Sequence, residues 1–133
     1  MKENPGPGYA DHPEHKVTIT PYEGLVTIEH GGQAIANSHR ALVLHESGYR
    51  PVHYVPRQDI RMDRLTRSAE HTGCPFKGEA TYFTLTGEDR NIAWSYERPY
   101  DEVASIQNHL AFYSDRVDVF RALPNSHERI PPS

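Results

Sequence analysis

Short runs in which apolar and polar residues alternate recur along this chain, and a period of two predicts strands that bury one face. Residues 16–20 set Val17 and Ile19 on one side, and residues 25–30 do the same with Val26 and Ile28. Gly31-Gly32 follows. Two adjacent glycines accept positive φ without a Cβ clash, so they predict a tight turn from 25–30 into a strand over 33–37. Residues 41–46, 52–55, 80–85 and 91–96 extend the set, with Gly87-Glu88-Asp89 as a turn before the last, and 117–120 offers a final strand. Two sheets or one curled sheet would follow.

One stretch breaks the pattern. Val103, Ile106, Leu110 and Tyr113 recur at three- and four-residue spacing behind Asp101, a capping residue type, with Glu102 in the first turn, and predict a helix over 101–113. A weaker helical turn is predicted over 58–65, where Ile60, Met62 and Leu65 would cover a sheet edge.

Six of the 11 prolines fall in residues 1–13 and 124–133, among Gly, Asn, Ser and charged residues. These ends read as flexible tails, 1–14 and 123–133, around a single β-rich domain over 15–122. At 133 residues such a domain can bury a core without disulfides, and its one cysteine could not form an internal bridge. The formal charge, 14 − 18 = −4, comes without a Lys/Arg cluster, so nucleic acid is not an expected partner. No apolar run is longer than 41–44, which excludes a spanning helix, and Met1-Lys2-Glu3-Asn4 leads into no apolar signal segment. A cytoplasmic location with no membrane partner is the expectation, and the oligomeric state stays open.

Chemistry-bearing residues gather in three stretches. The first runs from Arg40 through His45, Glu46, Tyr49, His53, Tyr54 and Arg57 to Asp59 and Asp63. Alternation puts Leu42, Leu44 and Glu46 on one face, and sets Val52 and Tyr54 against His53 and Val55. The second is His71-Thr72-Gly73-Cys74-Pro75-Phe76-Lys77-Gly78-Glu79. His71 and Cys74 have an H-x-x-C spacing, but two ligands fall short of the three or four that zinc needs, so no metal and no cofactor is expected. Cys74 is a candidate nucleophile or redox thiol with His71 as its base, since a neighbouring imidazole or Lys77 lowers a thiol's pKa. Its alternative is an inert small hydrophobe. The third is Trp94-Ser95-Tyr96-Glu97-Arg98-Pro99-Tyr100, in which Ile92, Trp94 and Tyr96 share a side, either as core or as the walls of a ligand cavity. Glu97 and His45 are reserve acid–base candidates.

The order Arg40-Ala41-Leu42-Val43-Leu44-His45-Glu46, then Tyr49-Arg50-Pro51-Val52-His53-Tyr54-Val55-Pro56-Arg57-Gln58-Asp59-Ile60, then Cys74-Pro75-Phe76-Lys77-Gly78-Glu79-Ala80-Thr81-Tyr82, then Ala93-Trp94-Ser95-Tyr96-Glu97 resembles the domain-of-unknown-function 427 family. The resemblance continues through Pro99, Glu102, Val103, Ile106, His109, Ala111, Phe112, Tyr113 and Arg116-Val117-Asp118-Val119, and covers about residues 16–120. It implies a mainly β domain of two antiparallel sheets meeting at an angle, a tent-like architecture similar to that of methionine sulfoxide reductase B and the ligand-binding domain of cereblon. Those relatives commonly staple the sheets with zinc on two pairs of cysteines. One cysteine cannot do this, so packing by Trp94, Phe83, Tyr82 and Leu110 would take over.

By the same resemblance, the space between the sheets would be an aromatic-walled pocket for an unidentified small molecule. Arg40, His53, Tyr54, Arg57 and Lys77 would rim it, with Trp94 and Tyr96 in its walls. The family is sometimes labelled a nucleotidyltransferase. That chemistry places Gly-Ser before a helix and two carboxylates at alternate strand positions to hold Mg²⁺. Here Ser47-Gly48 has the reverse order, and Asp115 and Asp118 are spaced by three. Small-molecule binding is therefore the leading expectation. A small enzyme, through Cys74 or nucleotidyl transfer, and a protein-interaction domain without a ligand are the alternatives.

Overall fold

The computed structural model describes residues 3–125 of the chain. Ten strands form two antiparallel sheets: β1 (Val17–Pro21), β2 (Gly24–His30), β3 (Gln33–Ser38), β4 (Leu42–Glu46), β5 (Val52–Pro56), β6 (Leu65–Cys74), β7 (Gly78–Leu85), β8 (Asn91–Tyr96), β9 (His109–Phe112) and β10 (Val119–Pro124). The larger sheet has seven strands in the order β1-β4-β5-β9-β8-β7-β6, and the smaller has three in the order β10-β2-β3. The mainly β class and the two-sheet arrangement follow the sequence pattern. Among the described residues, no helix is long and apolar enough to cross a membrane.

The β2–β3 hairpin turns where the glycines predicted it, with Gly31 at φ 62° and Gly32 at φ 74°. Between the sheets lies the larger core. β2 and β3 contribute Val26, Ile28 and Ile35, and the seven-stranded sheet contributes Val55, Phe83, Leu85, Ile92, Ala93, Leu110 and Phe112. Phe83 and Leu110 thus hold the sheets together as expected. Trp94 and Tyr82 do not, because both belong to a second cluster with Leu44, Tyr54, Ala80, Tyr96, Val103, Ile106 and Ala111 on the opposite face of the large sheet. That face is called the outer face below.

The predicted helix over 101–113 is replaced by two elements. Asp101–Ile106 is 3₁₀, and His109–Phe112 is β9, paired with both β5 and β8 in the middle of the large sheet. Asn108, at φ 65°, reverses the chain between them. Val103 and Ile106 are both buried against the second cluster, so their spacing reports a shared apolar side even though the backbone kinks at Val103. Leu110 is buried by strand alternation instead. Without β9, β5 and β8 would each present an unpaired edge, so sheet closure outweighs a short local helical preference.

Smaller departures have similar causes. The turn predicted over 58–65 is two separate 3₁₀ turns, Arg57–Asp59 and Met62–Arg64, followed by the ten-residue edge strand β6. β6 is mostly exposed, so it carries little alternation to read. In β8 a bulge at Ile92 shifts the register from Phe83↔Ala93 to Thr84↔Asn91. That extra residue puts Ile92 in the inner core, not beside Trp94 and Tyr96.

The N-terminal stretch expected as a flexible tail is docked across the outer face. Asn4 N–H donates to Asp101 Oδ2 at 2.7 Å and Gly6 N–H to Glu102 Oε1 at 2.9 Å. Gly8 N–H reaches Pro75 O at 2.9 Å, opening the single helical turn α1 (Gly8–Asp11). Tyr9 stands edge-on to Phe76 and donates its hydroxyl to Phe76 O at 3.0 Å. Few apolar anchors were legible there, because most of these contacts use backbone. At the other end β10 runs through Pro124, past the expected boundary at 123. The rest of that expected tail, 126–133, lies outside the described residues.

Candidate functional site

Alternation on β4, β5, β7 and β8 sends Leu44, Glu46, Val52, Tyr54, Tyr82, Trp94 and Tyr96 to the outer face, where with Lys77 and Tyr113 they line a cavity of about 220 Å³. Four of the eleven residues singled out in the sequence meet there: Tyr54, Lys77, Trp94 and Tyr96. The cavity is not between the sheets. That space is filled by the inner core, whose residues are at most 7% exposed.

Lys77 comes from the tight turn between β6 and β7. Gly78 makes the turn possible, since its φ is 124° and a Cβ there would lie 3.1 Å from Arg98 O. Lys77 Nζ donates to Glu46 Oε1 at 2.6 Å, and His15 Nε2 lies 2.8 Å from Glu46 Oε2. The three side chains are 10–16% exposed, so both oxygens of a nearly buried carboxylate are occupied. The His15 ring stacks on Phe76 at 4.0 Å between centroids. The strap over 4–15 and the β6–β7 turn are thereby joined on the cavity's charged rim.

The opposite wall is aromatic. Trp94 packs against Tyr113 at 4.6 Å and edge-on to Tyr54 at 6.4 Å, and its indole N–H donates to the Tyr54 hydroxyl at 3.3 Å. The Tyr82 hydroxyl bonds Thr72 Oγ1 at 2.7 Å. Burial is the main cause that raises the phenol pKa of Tyr54 and of Tyr96, with the Glu46 carboxylate adding to it. Tyr9, within the strap, is pushed up to about 12 by burial first, then by Glu102 and Glu46. These phenols stay protonated near neutral pH and act as hydrogen-bond donors.

The other expected site residues lie elsewhere. Cys74 lines a trough beside the cavity with His15, Glu46, Phe76 and Lys77. His71 is exposed and sits three residues earlier in a regular part of β6, so its side chain leaves the opposite face and it does not serve as a base for Cys74. Arg40 is engaged with Asp59, whose carboxyl is held below the usual range mainly by that hydrogen bond. Arg57 lies on the inner side, over the Phe83 ring at 5.5 Å, and donates to Glu97 at 2.8 Å. Glu97 also accepts from Arg67 at 2.7 Å, and the two guanidiniums hold it well below the ordinary carboxylate range, which suits an anchor and not a general acid. His53 packs edge-on to Tyr22 at 4.8 Å, with Phe120 beyond, and burial lowers its pKa. His45 is exposed beside Thr20.

Sequence reasoning offered Tyr82 as a possible wall residue and missed Tyr113, His15 and, as a site residue, Glu46. Glu46 had a signal, the face it shares with Leu44. His15 had none, because it reaches Glu46 from 31 positions away.

The sequence pattern described as a domain of unknown function, DUF427, matches residues 18–122. The chain belongs to this family. No curated protein matches it. The strap, including His15, precedes the matched range, so the family domain contributes the cavity walls with Glu46 and Lys77, while this chain's N-terminal segment supplies the last member of the charged rim.

The features sought for nucleotidyl transfer are not assembled. The Ser47 hydroxyl accepts from Lys16 N–H at 3.0 Å in a turn between strands, and Asp118 accepts from Gly31 N–H at 2.9 Å. Among the described residues no three His, Cys, Asp or Glu side chains gather as a metal site.

Proposed function

We propose that this DUF427 domain binds a small molecule in the outer-face cavity walled by Tyr54, Tyr82, Trp94, Tyr96 and Tyr113 and rimmed by Lys77 and Glu46. One observation carries the reading: a nearly buried ion pair forms part of the lining of an aromatic recess. Burying charges has a desolvation cost that hydrophobic replacements avoid, so a charged pair beside a recess marks a place where polarity is useful. At ~30 Å³ per water the recess holds about seven waters, or one substituted ring.

Trp94 is the chain's one tryptophan and forms a wall of the cavity, so its fluorescence reports occupancy directly. Titrating single-ring amides, acids and amines against Trp94 emission should give at least one saturable change with a matching rise in melting temperature. No response up to millimolar ligand would overturn the reading. Thiol chemistry has one favourable observation, the trough that sets Cys74 beside Lys77. Alkylation of Cys74 faster than free cysteine at neutral pH is the result that reading requires.

A further inference from the structure

The hydrogen-bonding groups of the cavity are unbalanced. The Tyr54 hydroxyl accepts from Trp94, which leaves its own proton uncommitted, and no acceptor within hydrogen-bonding distance of the Tyr96 hydroxyl exists among the described residues. Tyr54 is 1% and Tyr96 7% exposed, so little of either residue meets bulk water, and both line the cavity. Lys77 uses one of its three N–H groups on Glu46. The sole carboxylate in the lining has both oxygens engaged, one by Lys77 and one by His15. The phenols can accept as well as donate, but the charged acceptor is used up, while the remaining N–H groups of Lys77 can only donate.

Charge is balanced in contrast. Among the described residues, Glu46 and Lys77 are the only formally charged ones that line the recess, and they are paired with each other. An incoming anion would be desolvated next to the Glu46 carboxylate without an uncompensated cation, and an incoming cation would face the Lys77 ammonium. Aromatic rings make up most of the lining, with Trp94 edge-on to Tyr54 and against Tyr113, so a flat ring entering the recess meets ring faces and edges.

We infer that the ligand of this cavity is a small, flat, uncharged molecule bearing carbonyl-type or ring-nitrogen acceptors, received by the Tyr54 and Tyr96 hydroxyls and the free N–H groups of Lys77. The inference rests on the binding role proposed above and narrows it to a ligand class. A buried donor left without an acceptor is costly, so such a site discriminates strongly against isosteres that lack the acceptor.

The test compares four probes of one shape: benzamide, benzoate, benzylammonium and toluene, each titrated against Trp94 fluorescence and melting temperature. Benzamide is expected to bind at least about tenfold more tightly than the other three. Tyr96→Phe should weaken benzamide about tenfold while leaving toluene unchanged, since it removes one donor and keeps the ring. Tyr54→Phe is the second variant, should Tyr96→Phe lower stability. Tighter binding of benzoate or benzylammonium, or indifference of benzamide to both variants, would overturn the ligand class and leave a binding cavity standing. Silence from all four probes would remove the cavity's binding role and this inference with it.

Discussion

The two faces of the seven-stranded sheet are built by the same alternation, yet they solve opposite problems. The inner face carries Val55, Phe83, Leu85, Leu110 and Phe112 against Val26, Ile28 and Ile35 of the smaller sheet, and wholly apolar side chains fill the interval. The outer face carries Tyr54, Tyr82, Trp94 and Tyr96, and among the described residues no second sheet covers it. It is closed in part by the 3₁₀ segment Asp101–Ile106 and in part by the strap over 4–15. Apolar packing on one side gives stability. Phenols, an indole and a charged pair on the other leave space and directional hydrogen-bonding groups. The difference shows that stability and recognition are divided between the faces of one sheet, strand by strand and residue by residue.

The comparison breaks most readily at its apolar side. Phe83 is 3% exposed in the inner core and supports the Arg57 and Arg67 guanidiniums on its ring, at 5.5 and 5.4 Å. Phe83→Ala should cost about 3–5 kcal/mol, read by urea unfolding, through lost burial and the cavity left behind. The Trp94 response to ligand should persist in the fraction that remains folded. Loss of ligand response without loss of stability would contradict the division of labour.

On the outer face the vulnerable element is electrostatic. Glu46→Gln leaves the Lys77 ammonium without a counter-charge and should destabilise by about 3 kcal/mol. Adding Lys77→Met should recover most of that loss, because a buried pair removed together leaves no orphan charge. A double-mutant cycle on melting or denaturant midpoints checks this, and additive losses would contradict it.

The smallest expected effect sharpens the comparison at its margin, where His53 packs with Tyr22 and Phe120 on the inner side of β5. Burial lowers its pKa below the ordinary 6.5, with His45 nearby acting in the same direction. The unfolded chain therefore binds this proton more readily than the folded one. Stability from the neutral ring is complete above about pH 6.5 and declines as pH falls through that value toward the depressed one. His53→Phe should keep the ring contacts and flatten this part of the stability–pH profile, as measured by unfolding at stepped pH. An unchanged slope would show that other histidines dominate it.

Legibility in the sequence followed local physics. Alternation placed Leu44 with Glu46, Val52 with Tyr54 and His53 with Val55, and the structure keeps all three pairings. It could not foresee the bulge at Ile92, which moves one residue across the sheet, or β9, whose apolar spacing mimics a helix until β5 and β8 require a partner. Arg40, Arg57 and His53 looked like rim residues because polar groups cluster in their stretch. Each is taken up instead by a partner distant in sequence: Asp59, Glu97 and the Tyr22–Phe120 pair.

The sequence by itself determined the β class, the glycine hairpin, the family and the tyrosine- and tryptophan-bearing strand positions, because period-two alternation and turn chemistry act between near neighbours. Only the tertiary structure decided which face of the large sheet meets the smaller one, and hence that the aromatic recess opens outward. It alone brought His15, Glu46 and Lys77 together, since their contacts span about 31 residues each and are chosen by strand order and by the docking of the strap. Contacts of that range depend on which surfaces remain to be covered once the sheets have formed, and no local pattern encodes that.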